Sequence, residues 1–154
     1  MQHPVLGKLT PKEGSEDSYT GEVTYEDRNI AFDIERDADD IEEAINLAVE
    51  IIAALSKYDI ESKSIISKDL LETYNSGWNE YDEAQEDGSF KTVIKPKLSA
   101  KEFESQFTLK TVNISGNSCV ELWYEENDLF WGHSVFVSSF EGVDFSDAQA
   151  QMFG

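Results

Sequence analysis

The feature that most constrains how this chain folds is a change of hydrophobic period just after residue 35. From Tyr19 to Tyr25, the residues Tyr19, Gly21, Val23 and Tyr25 alternate with Thr20, Glu22 and Thr24, and Ile30, Phe32 and Ile34 alternate with Ala31, Asp33 and Glu35. A period of two places each set on one face of a strand. The polar turn Glu26-Asp27-Arg28-Asn29 between them predicts a hairpin. Beyond Arg36-Asp37-Ala38, the residues Ile41, Ala44, Ile45, Ala48, Ile52 and Leu55 recur at helical spacing, and Asp39 with Glu42 resembles a capping box. A helix over about 39–57 therefore follows a two-stranded unit with one apolar face, and its own stripe has that face to cover.

The remaining segments extend this pattern. Pro4–Thr10 reads as a short strand, and a second helix is predicted over about 61–75, with Asn75-Ser76-Gly77 as its stop. Residues 79–97 lack a sustained period and change from acidic to basic, which predicts a flexible loop. Ser99 and Glu102 form a capping box, with Leu98 and Phe103 at the positions of a hydrophobic staple, so a short helix should end near Phe107. Thr108–Ser115, Cys119–Tyr124 and Leu129–Val137 then read as a three-stranded meander, and 138–154 as a loosely docked tail anchored by Phe145 and Phe153. The fold predicted is α+β in one domain, 1–154: a single antiparallel sheet of N-terminal strands and C-terminal meander, with two or three helices packed on one face.

Charge narrows the partners. The chain carries 32 Asp and Glu against 12 Lys and Arg, a formal charge of −20, and carboxylates without partners stay in water. Such a surface repels nucleic acid and anionic membrane and speeds encounter with cationic proteins. Solubility alone is the plainer meaning of the same charge. Cys119 is the single cysteine, so no intrachain disulfide forms, and no apolar run approaches the ~18–20 residues needed to span a bilayer. A cytoplasmic protein is the expectation.

Asp128–Val137, DLFWGHSVFV, looks at first like a site, with Gly132 between Trp131 and His133. Read as a strand, His133 shares a face with Leu129, Trp131, Val135 and Val137, which makes Phe130, Trp131, Gly132 and His133 a structural signature and not a cleft. Cys119, His3 and His133 lack the spacing of a metal site, and neither Asp37–Asp40 nor Asn79–Asp87 has the glycine of a calcium loop. Phosphate-binding loops and nucleophile elbows are absent from the sequence. No catalytic residue, metal or cofactor is predicted. The residues expected to meet a partner are the carboxylates Asp39, Asp40, Glu43, Asp82 and Glu83 and the aromatics Trp78, Tyr81 and Trp123.

The opening HPVLGKLT, the segment YTGEVTY, the helix DIEEAINLAVEII and the close NDLFWGHSVFV resemble an uncharacterised bacterial family of small domains, over most of the chain in outline but with no counterpart for 79–97. That resemblance supplies no catalytic residues. In size, charge and organisation such domains also resemble the immunity proteins encoded beside bacterial toxins. This implies a non-enzymatic acidic protein, a monomer or weak homodimer, that neutralises a cationic toxin domain by direct binding. Two alternatives stand beside it: a housekeeping or scaffold interaction domain, and a small-molecule binder or enzyme around Trp131 and His133.

Overall fold

A computed structural model describes all of residues 1–154. Strands β1 (Gln2–His3), β2 (Gly7–Lys8) and β3 (Thr10–Pro11) lead into the hairpin of β4 (Ser18–Tyr25) and β5 (Arg28–Glu35). Helices α1 (Ile41–Ala53) and α2 (Leu55–Thr73) follow, then a π-helical turn, Tyr74–Trp78. A hairpin of β6 (Glu80–Ala84) and β7 (Phe90–Ile94) precedes the short helix α3 (Ala100–Glu104). The chain closes with β8 (Thr108–Ser115), β9 (Cys119–Glu125), β10 (Ser134–Ser139) and β11 (Gln149–Phe153).

Seven strands form the main sheet in the order β11-β10-β9-β8-β5-β4-β3. One face carries Ile30, Phe32, Ile34, Val112, Ile114, Val120, Leu122, Val135 and Val137, all buried. Ala44, Ile45, Ala48, Ile51 and Ile52 of α1, with Tyr58, Ile66 and Leu70 of α2, complete the same core. The mixed α and β layers with mostly antiparallel pairing agree with expectation, but the single antiparallel sheet does not. β5 and β8 run parallel, with Ile34 opposite Ile114, and β1–β2 and β6–β7 form two small sheets of their own. The helices between β5 and β8 return the chain to the end where β5 began, as a parallel pairing requires.

Local chemistry explains the agreements and the departures. In α3 the predicted capping box is complete: Glu102 N–H donates to Ser99 Oγ at 3.2 Å, and Ser99 N–H to Glu102 Oε1 at 3.0 Å. In α1 the cap is Asp40, not Asp39, with Glu42 N–H donating to Asp40 Oδ1 at 3.2 Å. The first helix ends at Ala53, and the next begins at Leu55 after a kink at Ala54 (φ −123°, ψ 35°), well before residue 61. No glycine or proline marks that kink. It turns Tyr58, Asp59 and Ser62 toward the sheet.

Two segments read as loose in the sequence form strands. Residues 79–97 contain the β6–β7 hairpin, whose base is clamped by Asn79: Lys95 N–H donates to its carbonyl at 2.7 Å, and its Nδ2 to Lys95 O at 3.0 Å. Asn75 holds Leu98 through a similar pair of bonds, each 3.0 Å. In 138–154, Phe145 is buried against Tyr58 with ring centroids 5.0 Å apart, and β11 adds the last strand of the sheet. Ala150 N–H donates to Asp69 Oδ2 at 2.9 Å. Phe153, expected as the second anchor, is 66% exposed.

The least expected buried group is Asp59, 2% exposed on α2. Its Oδ2 accepts from Tyr25 and its Oδ1 from Tyr124, both at 2.7 Å, and Lys63 Nζ lies 3.4 Å away. Burial, and then the adjacent carboxylate, hold both phenols protonated well above their usual range. These phenols bind protons more tightly folded than unfolded. Their contribution is complete below pH ~10 and is lost as pH rises beyond it. Urea midpoints should therefore fall above pH ~10, and the fall should be shallower in the Tyr25→Phe, Tyr124→Phe double variant; equal slopes would show that other groups cause it. Asp59→Ala, which strands Lys63 and two hydroxyls, should cost about 3–5 kcal/mol at neutral pH in the same titration.

Candidate functional site

Between β9 and β10 the chain does not continue as a strand. Leu129–Val137, expected as one, divides into a turn through residue 133 and β10 from Ser134. The buried Glu126 organises the turn: its carboxylate accepts the backbone N–H of Asp128 at 3.0 Å and that of Phe130. Asn127, Asp128, Trp131 and Gly132 take left-handed backbone angles, φ 51°, 59°, 56° and 85°. Asn and Asp adopt that conformation readily and glycine freely, whereas a tryptophan there costs roughly 1–2 kcal/mol.

Left-handed residues break the alternation, so successive side chains no longer obey a strand's faces. Leu129 and Phe130 are both buried, while Trp131 is 59% exposed. Trp131 and His133 therefore do not share a core face with Val135. His133 is half-buried and its Nδ1 donates to Phe130 O at 2.6 Å, which makes the ring a brace for the turn. A mainly polar cleft of ≈ 380 Å³ borders it, with Lys110, Glu125, Asp128 and Ser134.

Trp131 continues a column of aromatic rings that begins in the core. Phe103 packs on Phe107 at 5.0 Å and on Phe130 at 6.1 Å, and Phe130 packs on Trp78 at 5.3 Å. Trp78 then meets Trp131 at 4.8 Å and the edge of His133 at 5.5 Å. Trp78 is thus half-buried, positioned by the π-helical turn, and works as a support, not as the exposed anchor expected. Within this column the exposed ring is Trp131.

The β6–β7 hairpin brings Tyr81, Asp82 and Lys95 beside this turn, and with Asp128 and Trp131 they line a shallow groove of ≈ 550 Å³. Lys95 Nζ stands over the Tyr81 ring, 5.7 Å from its centroid. Carboxylates and aromatic faces exposed together favour a cation, through charge and through the ring quadrupole.

The structure gathers some expected site residues and scatters others. Trp78, Tyr81 and Asp82 join the signature residues Phe130, Trp131, Gly132 and His133 in one region. Glu83 is exposed on β6, opposite Lys91. Asp39, Asp40 and Glu43 sit at the other end of β9, ~20 Å away by the length of the strand. There Asp39 Oδ2 accepts Asn117 N–H at 3.1 Å, and Glu43 Oε2 accepts Asn117 Nδ2 at 3.5 Å, which ties α1 to the β8–β9 turn. Trp123 lies on the sheet face away from the helices, stacked on Phe136 at 4.4 Å and 17° and meeting Phe153 edge-on. Sequence reasoning missed Lys95, Asp128 and Glu126. The reversal of charge along 79–97 was the available signal for Lys95, and the Glu-Glu-Asn-Asp turn for the other two.

No three His, Cys, Asp or Glu side chains converge as metal ligands, and no helix is long and apolar enough to cross a membrane. Residues 3–149 match the family model described as an uncharacterized protein conserved in bacteria (DUF2262). No curated protein and no solved structure matches the chain.

The strain at Trp131 has a measurable consequence. Glycine there would relieve ~1–2 kcal/mol of backbone strain, but would lose aromatic contact worth ~0.5–1.5 kcal/mol and the partial burial of the ring, worth about 2 kcal/mol. Trp131→Gly should therefore lower the urea-unfolding free energy by about 1–2 kcal/mol; a loss of about 3–5 kcal/mol, as for a core aromatic, would make Trp131 a structural residue.

Proposed function

The chain belongs to this family of proteins conserved in bacteria, and from that premise we propose that it is a non-enzymatic acidic binding protein. Its role is that of an immunity-type inhibitor, which neutralises a basic protein by covering its surface. The observation that carries this reading is Trp131: a large apolar ring, 59% exposed, held in a left-handed conformation and backed by a column of core aromatics. A rigid exposed tryptophan is the kind of side chain on which binding energy concentrates once a partner excludes water from it. The charge of −20 supplies long-range attraction, and Asp82 and Asp128 beside the ring supply local attraction.

Co-expression with the product of the adjacent gene tests this reading. A stable complex is expected near 50 mM salt, with affinity falling at least about tenfold by 500 mM as screening removes the steering and rim attraction. Failure of the neighbouring product to bind, or binding indifferent to salt, would defeat the proposal. Trp131→Ala should weaken the complex by about 2 kcal/mol or more without changing the circular dichroism spectrum.

A further inference from the structure

We infer that the groove between Tyr81 and Trp131 is a receptor for one arginine or lysine side chain of the partner, and that Lys95 of the chain itself occupies it in the free protein. This inference rests on the binding reading above and adds the chemistry of the contact.

The groove holds two aromatic faces and two carboxylates within five lining residues, Tyr81, Asp82, Lys95, Asp128 and Trp131. The only cation among them, Lys95, lies 5.7 Å from the Tyr81 centroid, near the ~6 Å limit of a useful cation–π contact. It makes no ion pair with Asp82 or Asp128, although six such pairs form elsewhere in the chain. Asp82 spends one oxygen on the Thr92 hydroxyl at 2.9 Å, and the Asp128 side chain accepts no hydrogen bond within the protein. Lys95 is therefore loosely placed.

A guanidinium would use what Lys95 leaves unused. Its plane can lie on an indole face while its N–H groups fork to a carboxylate, a geometry an ammonium cannot reproduce. The acidic pole at the opposite end of β9 offers no equivalent. There Asp39 and Glu43 are bonded to Asn117, and Asp40 caps α1. An incoming cation has no aromatic face among those contacts.

Anisotropy of a fluorescein-labelled hexa-arginine peptide, at constant low ionic strength, tests the inference on the full chain. Lys95→Ala should tighten binding about fivefold, because it removes the resident cation, whereas Lys97→Ala, with the same change of net charge, should tighten it less than about twofold. Trp131→Ala should weaken binding about tenfold and Asp128→Asn about fivefold, while the remote pair Glu13→Gln, Glu16→Gln should change it less than about twofold. Hexa-lysine should bind more weakly than hexa-arginine, and the difference should narrow in Trp131→Ala, which loses the stacking but keeps the carboxylates.

Equal effects of Lys95→Ala and Lys97→Ala would overturn the inference, as would peptide binding indifferent to Trp131. Lys95 is exposed and its replacement leaves the internal hydrogen bonds intact, so Lys95→Ala, with an unchanged circular dichroism spectrum, remains decisive even if Trp131→Ala folds poorly. A neighbouring-gene product that binds regardless of Trp131 and Lys95 would defeat the groove and leave the inhibitor reading intact. The peptide pattern without any bound gene product would do the reverse.

Discussion

The fold turns on one buried carboxylate. Asp59 stands on α2, and the two hydroxyls it accepts belong to Tyr25 on β4 and Tyr124 on β9. Those strands flank the parallel β5–β8 pair, which is the seam between the N-terminal hairpin and the C-terminal meander. One side chain thus bridges both halves of the sheet from above. Burying a charge is unfavourable unless every partner is in place. With two phenols and Lys63 supplied, the same cost selects the one register of α2 on the sheet that satisfies it.

What the sequence made legible follows from how each segment is buried. The β4–β5 hairpin and α1 have one wet face and one dry face, so their periods are plain. The cap of α3 is local chemistry and is visible for that reason. The parallel seam is a contact between residues some eighty positions apart, which no local period encodes. The β6–β7 hairpin is exposed on nearly all positions and so has no alternation to read. β11, with Gln149, Gln151 and a single buried Ala150, shows a side-chain pattern too weak to mark an edge strand.

The site was legible as a place but not as an arrangement. DLFWGHSVFV concentrates aromatics and marks the centre correctly, yet a strand's alternation assigned Trp131 to the core. Four left-handed residues between Asn127 and Gly132 overturn that assignment, since a change of backbone region redirects each following side chain. The buried Glu126, bonded to the N–H groups of Asp128 and Phe130, holds the turn in that form. Its hydrophilic neighbours hid it among ordinary surface acids.

A charge of −20 does not make every carboxylate available to a partner. Asp59, Glu126 and Asp69 are committed to hydrogen bonds inside the fold, and Asp39 and Asp40 to the start of α1 and the β8–β9 turn. Attraction at long range counts all of them, but contact counts only those still unsatisfied. Asp128 is one of these, and it is held next to a tryptophan supported from below by Trp78, which itself packs on Phe130. A side chain ordered before binding loses little entropy on binding. The strain stored at Trp131 and the stacking that offsets it therefore act in the same direction, presenting one rigid ring beside one free carboxylate.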